Sequence, residues 1–209
     1  VVDVFQAGAG TSHHMNVNEV IANRAGEILG VGRGDYSQVN PNDHVNYGQS
    51  TNDVIPTAIR IGGLLLALKL ITTLDHLAIE LGRKSGEFAD VVKSGRTHLQ
   101  DAVPVTLGQE FGGYAQIVRD HRRLITAAAD ELRALGIGGS AAGSGLNTHP
   151  DYVRMMSEKL TEQLGTDVRP AENLFAAMQS MGPIVAMSSA LRNLALDLVK
   201  MANDLRLLS

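Results

Sequence analysis

The chain contains no cysteine. That excludes disulfides and thiolate metal sites, and it fits a reducing, cytoplasmic compartment. Tryptophan is also absent, and aromatic residues make up only 4% of the sequence. A β-sandwich draws on aromatic and β-branched side chains, so the shortage favours closely packed helices built from Ala, Leu, Gly and Met. There is no polybasic run, and the net charge is −4. Nucleic acid and anionic membrane surfaces are therefore not expected partners. The most apolar run, around residues 61–68, is too short by itself to cross a bilayer. Neither end resembles a secretion signal. What is present is 209 residues with 44% hydrophobic content, enough for one substantial core.

Apolar spacing predicts a helix over 15–29, capped by Thr11, Ser12 or a neighbour and stopped by Gly30. Residues 30–49, rich in Gly, Asn, Asp and Pro, form a loop. A long helix begins near Asn52 and Asp53, tolerates Pro56 in its first turn and runs to about Phe88. A third begins at Thr106, where Thr106 and Gln109 make a capping box, and lasts to about Leu135. Residues 150–164 form a shorter helix ended by Gly165, and 171–208 a last one with a break at Gly182-Pro183.

A 30-residue helix is about 45 Å long, whereas a compact globule of this size has a radius of gyration of about 17 Å. Rods of that length form an elongated bundle. On the second helix Leu64, Leu65, Leu66, Leu68, Leu70 and Ile71 nearly circle the axis. A helix that is apolar all round needs neighbours all round, which implies an obligate oligomer.

Four polar segments could carry chemistry. In QAGAGTS (6–12) small residues lead into a helix, a suitable seat for an anion, or else an ordinary Gly-rich turn with a hydroxyl cap. In NPNDHVNYGQSTND (40–53), Ser50, Thr51 and Asn52 place two hydroxyls and an amide at a helix start. Such a group can hold a carboxylate, and a simple N-cap explains only one of the three. In SGRTHLQDAVP (94–104), Thr97 and His98 offer a hydroxyl and a titratable imidazole. Arg96 and Asp101 there form an ion pair that shapes the loop. Residues 136–147, GIGGSAAGSGLN, lack the Lys-Ser/Thr of a phosphate loop and follow a helix. They are expected to be a tight connection between helices. The histidines show no metal-ligand spacing, so no metal is expected.

Taken together, GAGTS, MNVNEVIANRA, NPNDHVN, GQSTND, GRTHLQDAVPVTLGQEF, GSGLNT and NDLRLLS resemble the aspartase/fumarase superfamily in order and spacing, across nearly the whole chain. The resemblance implies an all-α fold, a long-helix bundle whose central helices pack in a homotetramer, with active sites shared between three subunits. It implies cleavage of a C–N or C–O bond β to a carboxylate, without cofactor, through an aci-carboxylate intermediate held by preorganised donors. On it, Thr11, Ser50, Thr51, Asn52 and Thr97 are substrate-binding residues, and His98 is the catalytic candidate, assisting proton handling. GAGT, QSTND and Asn40 look like the family's aspartases, whereas its fumarases tend to show GSGT, QSSND and His. Ser140, Ala142 and Ser144 stand where Thr, Val and Thr are more usual in the family. The expected reaction is ammonia elimination from L-aspartate. Fumarate hydration is the alternative, and a non-catalytic helical oligomer is a second. The family's base, a serine on a Gly-Ser-Ser loop, is expected downstream of Ser209. The chain is accordingly expected to be an internal piece and inactive alone, with 1–49 closing an N-terminal region and 50–209 belonging to the central bundle.

Overall fold

The computed structural model describes residues 3–208. Its six helices are α1 (Thr11–Ile28), α2 (Thr51–Glu87), α3 (Leu107–Glu131), α4 (Tyr152–Leu164), α5 (Leu174–Gln179) and α6 (Gly182–Leu208). Between α2 and α3 lies an antiparallel hairpin of β1 (Val92–Thr97) and β2 (Gln100–Thr106). Two further two-residue strands, β3 (Ala134–Leu135) and β4 (Arg169–Pro170), pair in parallel. The fold is all-α apart from short strands, in keeping with the scarcity of aromatics.

The chain forms two compact units. One comprises the N-terminal part up to Gly62 together with Leu132–Gly182; the other comprises Gly63–Glu131 and the segment from Pro183 onward. Buried positions in α2 fall at Asp53, Thr57, Arg60, Leu64, Ala67, Leu74 and Ala78. These steps of three, four and once seven residues trace a single seam along the helix. The seam is polar in the first unit and wholly apolar in the second.

In the second unit α2 and α3 run antiparallel: Arg122 grips Asp75 at 3.0 and 3.2 Å, and Ser85 donates to the Gly108 carbonyl at 2.7 Å. Gly108 permits that approach, since a Cβ there would lie 2.4 Å from the Ser85 carbonyl oxygen. The α6 helix is antiparallel to α3, joined by Tyr114 to Asp204 at 2.8 Å and His121 to Asp197 at 2.6 Å. On α6, Met187, Ala190, Leu194 and Met201 form the buried seam. Val118 and Ile125 are fully buried.

In the first unit the buried Arg60 guanidinium binds the carbonyls of Ala134, Ala177 and Ser180 at 2.9, 3.2 and 3.1 Å. One side chain thus ties α2 to β3 and to the end of α5. Without those carbonyls the buried charge would be very costly.

Several expectations need correction. The α1 helix begins at Thr11 with Gly10 at its N-cap, so neither Thr11 nor Ser12 caps it by a side chain. Asn40 to Val45 is not plain loop, because residues Pro41–Val45 make a π-helical turn capped by the Asn40 side chain. The segment 94–104 is a hairpin rather than an open loop. The α3 helix stops at Glu131, because Ala134 and Leu135 are drawn into the pairing with β4. The break expected at Gly182-Pro183 is present, but the helix before it, α5, starts only at Leu174 and is six residues long. Finally, α2 as a whole, unlike the run 61–68, contains an 18-residue stretch of mean hydropathy 1.8, long and apolar enough to cross a membrane by length and composition.

Candidate active site

The start of α2 is assembled from both its own sequence and the glycine-rich segment that follows β3. Ser50 Oγ accepts the Asn52 amide at 3.2 Å, and the Ser50 amide donates to Asp53 Oδ1 at 2.9 Å. This is a capping box with aspartate in the third helical position. The other Asp53 oxygen, Oδ2, accepts the amides of Gly138 and Ser140, both at 3.0 Å. Asp53 is completely buried. Burial pushes its carboxyl above the usual range, and the three backbone donors offset only part of that. Gly138 has φ 92, and a Cβ would fall 2.5 Å from Val153 Cγ2, so only glycine can present its amide there. The loop held in this way places the Ala141 carbonyl 3.0 Å from Asn52 Nδ2.

All three polar residues singled out at this helix start therefore have intrachain partners. Ser50 uses a lone pair for the cap, which leaves its O–H to donate. Asn52 uses one N–H on Ala141, which leaves the other N–H and Oδ1. The Thr51 hydroxyl lies 3.0 Å from Nδ1 of His14, a residue of α1 that is only 4% exposed. Gly10 brings α1 to this place: a Cβ there would meet Ile55 Cγ1 at 2.7 Å, and its φ is 79. Thr11 is exposed at the first position of α1. Two helices thus start in this one unit, and their dipoles favour a carboxylate.

Asn40 takes no part in this arrangement. Its Oδ1 accepts the amides of Asn42 and Asp43 at 2.8 and 3.1 Å, so its side chain is committed to the π-helical turn. An open cleft of about 370 Å³ lies beside that turn, lined by Asn46, Gln49, Ser140 and Asn147 among others. Ser50, Thr51 and Asn52 do not line it.

Thr97 and His98 belong to the second unit. Thr97 pairs with Gln100, so His98 and Leu99 are the two-residue tip of the hairpin. Their φ values of 49 and 60 give a turn with both central residues left-handed, the arrangement that matches strand twist. Thr97 and His98 are exposed. Arg96 and Asp101 sit opposite each other across the strands at 3.7 Å, a fully hydrated pair of little energetic weight. Gly95 sits at a register shift, where a Cβ would lie 2.8 Å from the Val103 carbonyl oxygen.

The sequence reading missed His14 and Asp53. Histidine in an amphipathic helix carries no spacing signal, and Asp53 was legible only as part of a helix start. The glycine-rich segment was read as a connector. It is also the partner that holds Asp53 and Asn52.

A family model described as lyase matches residues 1–209. The chain belongs to the lyase family. This lyase chain is 46% identical over 209 residues to an aspartate ammonia-lyase of Bacillus sp, covering 100% of the chain and 45% of that protein. It is 47% identical over 204 residues to a class II fumarate hydratase of Thermosynechococcus vestitus, covering 97% of the chain and 44% of that protein. Among solved structures it resembles a fumarate lyase:delta crystallin from Brucella melitensis bound to cobalt, with TM-score 0.94 and 48% identity over 100% of the chain and 45% of that structure's chain. The lyase chain thus spans somewhat under half the length of the curated relatives it matches.

Proposed function

We propose that the complete protein is an aspartate ammonia-lyase, eliminating ammonia from L-aspartate to give fumarate. The observation that carries the reading is the α2 start: the Ser50 hydroxyl, the Thr51 hydroxyl and the Asn52 side-chain amide stand together at one helix N-terminus, braced by a buried carboxylate. Neutral donors with a helix dipole hold a carboxylate without a titratable cation. Once a base removes the proton next to that carboxylate, the same donors meet the growing charge on its oxygens. Because they are already fixed, little reorganisation is needed in the transition state.

In this reading Thr11, Ser50, Thr51 and Asn52 bind substrate from one chain, and Thr97 with His98 complete the site from another. The active unit is a cytoplasmic homotetramer whose sites draw on three subunits. Residues 1–49 close its N-terminal region and 50–209 belong to its bundle. No metal or organic cofactor takes part, and the base is a serine beyond Ser209. The sequence pattern GAGT and QSTND supports aspartate, with Thr51 as the residue that bears on the choice. A class II fumarase is the second reading, supported by the 47% identity to a fumarate hydratase.

The experiment is direct. Full-length protein is given L-aspartate or L-malate, and fumarate is followed by ultraviolet absorbance. Turnover of aspartate supports the proposal, and turnover of malate alone replaces it with the fumarase. Turnover of neither, with assembly intact, leaves a helical oligomer without catalysis.

A further inference from the structure

Thr97 and His98 ride on a hairpin that has little of its own to hold it. A two-stranded hairpin is marginally stable alone in water, and every side chain from Arg96 to Pro104 is exposed. The Arg96–Asp101 pair stays within the hairpin. At the root, the Leu107 amide donates to the Val91 carbonyl and the Gly108 amide to the Phe88 carbonyl, both at 2.9 Å. The next anchor outward is Lys93, which faces Val105 across the strands. Its Nζ donates to both oxygens of Glu110 on α3, at 2.9 and 2.8 Å. Exposed ion pairs hold little. These two side chains are only 23% and 29% exposed, and a lysine that meets both carboxylate oxygens makes charge-assisted bonds of the stronger kind. Glu110 in turn stands on a fixed base. One turn on, the Tyr114 hydroxyl donates to Asp204 of α6 at 2.8 Å, and Phe111 meets Phe88 edge-on with ring centres 5.3 Å apart.

We propose that Lys93 is a positioning residue that, through Glu110, aims the hairpin tip and so sets where Thr97 and His98 meet the substrate. The inference rests on the reading of Thr97 and His98 as substrate contacts. Geometry gives the pair its leverage. Beyond Lys93, Ser94 and Arg96 are exposed and Gly95 has no side chain, so within the chain the outer part of β1 is steadied by its ladder with β2 alone. Thr97 lies four residues past Lys93, about 13 Å along an extended strand, so a tilt of about 5° at the root moves the tip by about 1 Å. A misplacement of that size lowers a rate by up to about a hundredfold. The ion pair thus acts at the short end of a lever whose long end carries the substrate contacts.

The test uses full-length protein with whichever of L-aspartate and L-malate the wild type turns over. Lys93→Met keeps the stem and removes the charge, and Glu110→Gln removes the other half of the pair. Each should speed amide hydrogen exchange across residues 94–104 by about fivefold or more, with exchange in α2 and α6 unchanged. Each should also lower kcat/KM about tenfold. The double variant should be no worse than either single, since all three break one contact. Lys93→Arg keeps the charge and can meet both carboxylate oxygens, and should hold kcat/KM and exchange within about threefold of wild type. Sedimentation and circular dichroism establish that the variants assemble. Unchanged exchange in Lys93→Met overturns the inference, and so does faster exchange with kcat/KM intact. A Lys93→Arg protein as impaired as Lys93→Met overturns it too. Thr97→Val keeps the two readings apart. If it impairs turnover while Lys93→Met does not, the site stands and the inference alone fails. If Thr97→Val has no effect, or the wild type turns over neither substrate, the functional reading of the tip fails and the positioning role falls with it.

Discussion

At the scale of single residues, donors and acceptors are assigned by partners distant in sequence. Asn52 is anchored by Ala141 and Asp53 by Gly138 and Ser140, and both contacts also hold the loop. Asn52→Ala should lower kcat/KM for the proposed reaction by tenfold or more while leaving the assembled state intact, as read by steady-state kinetics and sedimentation. Thr97→Val should do the same from the hairpin. Unchanged activity in both would remove these residues from the site. Asp204 gives a pH signature. Burial works to raise its carboxyl, but the bonds from Lys200 and Tyr114 outweigh it and hold the group below its ordinary value. A lowered carboxylate contributes stability above its unfolded pKa, and that contribution is lost as pH falls through the folded value. Asp204→Asn should therefore cost about 1 kcal/mol near neutral pH. The difference from wild type should begin to shrink as pH falls below about 4 and vanish only below the lowered folded value, measured as urea midpoints across a pH series.

At the scale of elements, local chemistry decided what it could reach. The Thr106–Gln109 capping box forms in both directions, at 2.9 and 3.1 Å. Gly165 ends α4 with φ 61. Pro183 sits in the first turn of α6, where it lacks no bond. The hairpin was not legible, because its tip is His98-Leu99 and not the Asn-Gly that favours such a turn. Leu99 in the left-handed region stores strain that glycine would relieve. Leu99→Gly should raise stability by up to about 1 kcal/mol, read as a higher urea midpoint. A fall in stability would mean that the Leu99 side chain, 72% exposed, is held by contacts made only in the assembly.

At the scale of the whole molecule, apolar surface is left uncovered. On α2 Leu66 is 68% and Ile79 63% exposed, and on α6 Val185, Leu196 and Val199 are similarly open. Each helix has one seam facing its own chain and further apolar residues facing outward, which is the pattern of helices that pack on more than one side. The proposed tetramer would bury these faces. In full-length protein Leu66→Glu should shift sedimentation from tetramer to smaller species and make thermal stability depend on protein concentration. A tetramer unaffected by that charge would place the interface elsewhere.

The sequence by itself determined the family, the all-α class and the places where α1, α2, α3 and α4 begin or end, because those depend on helical period, caps and glycines a few residues apart. It also marked Ser50, Thr51 and Asn52, since three polar groups at one helix start exceed what a cap requires. Tertiary structure decided what each of those groups can offer. The Gly138 amide, the Ala141 carbonyl and the His14 imidazole lie 37 or more residues from their partners at this helix start, and hydrogen-bond polarity is a property of partners. A hydroxyl in a sequence can give or accept, and only the neighbour that folding supplies fixes which.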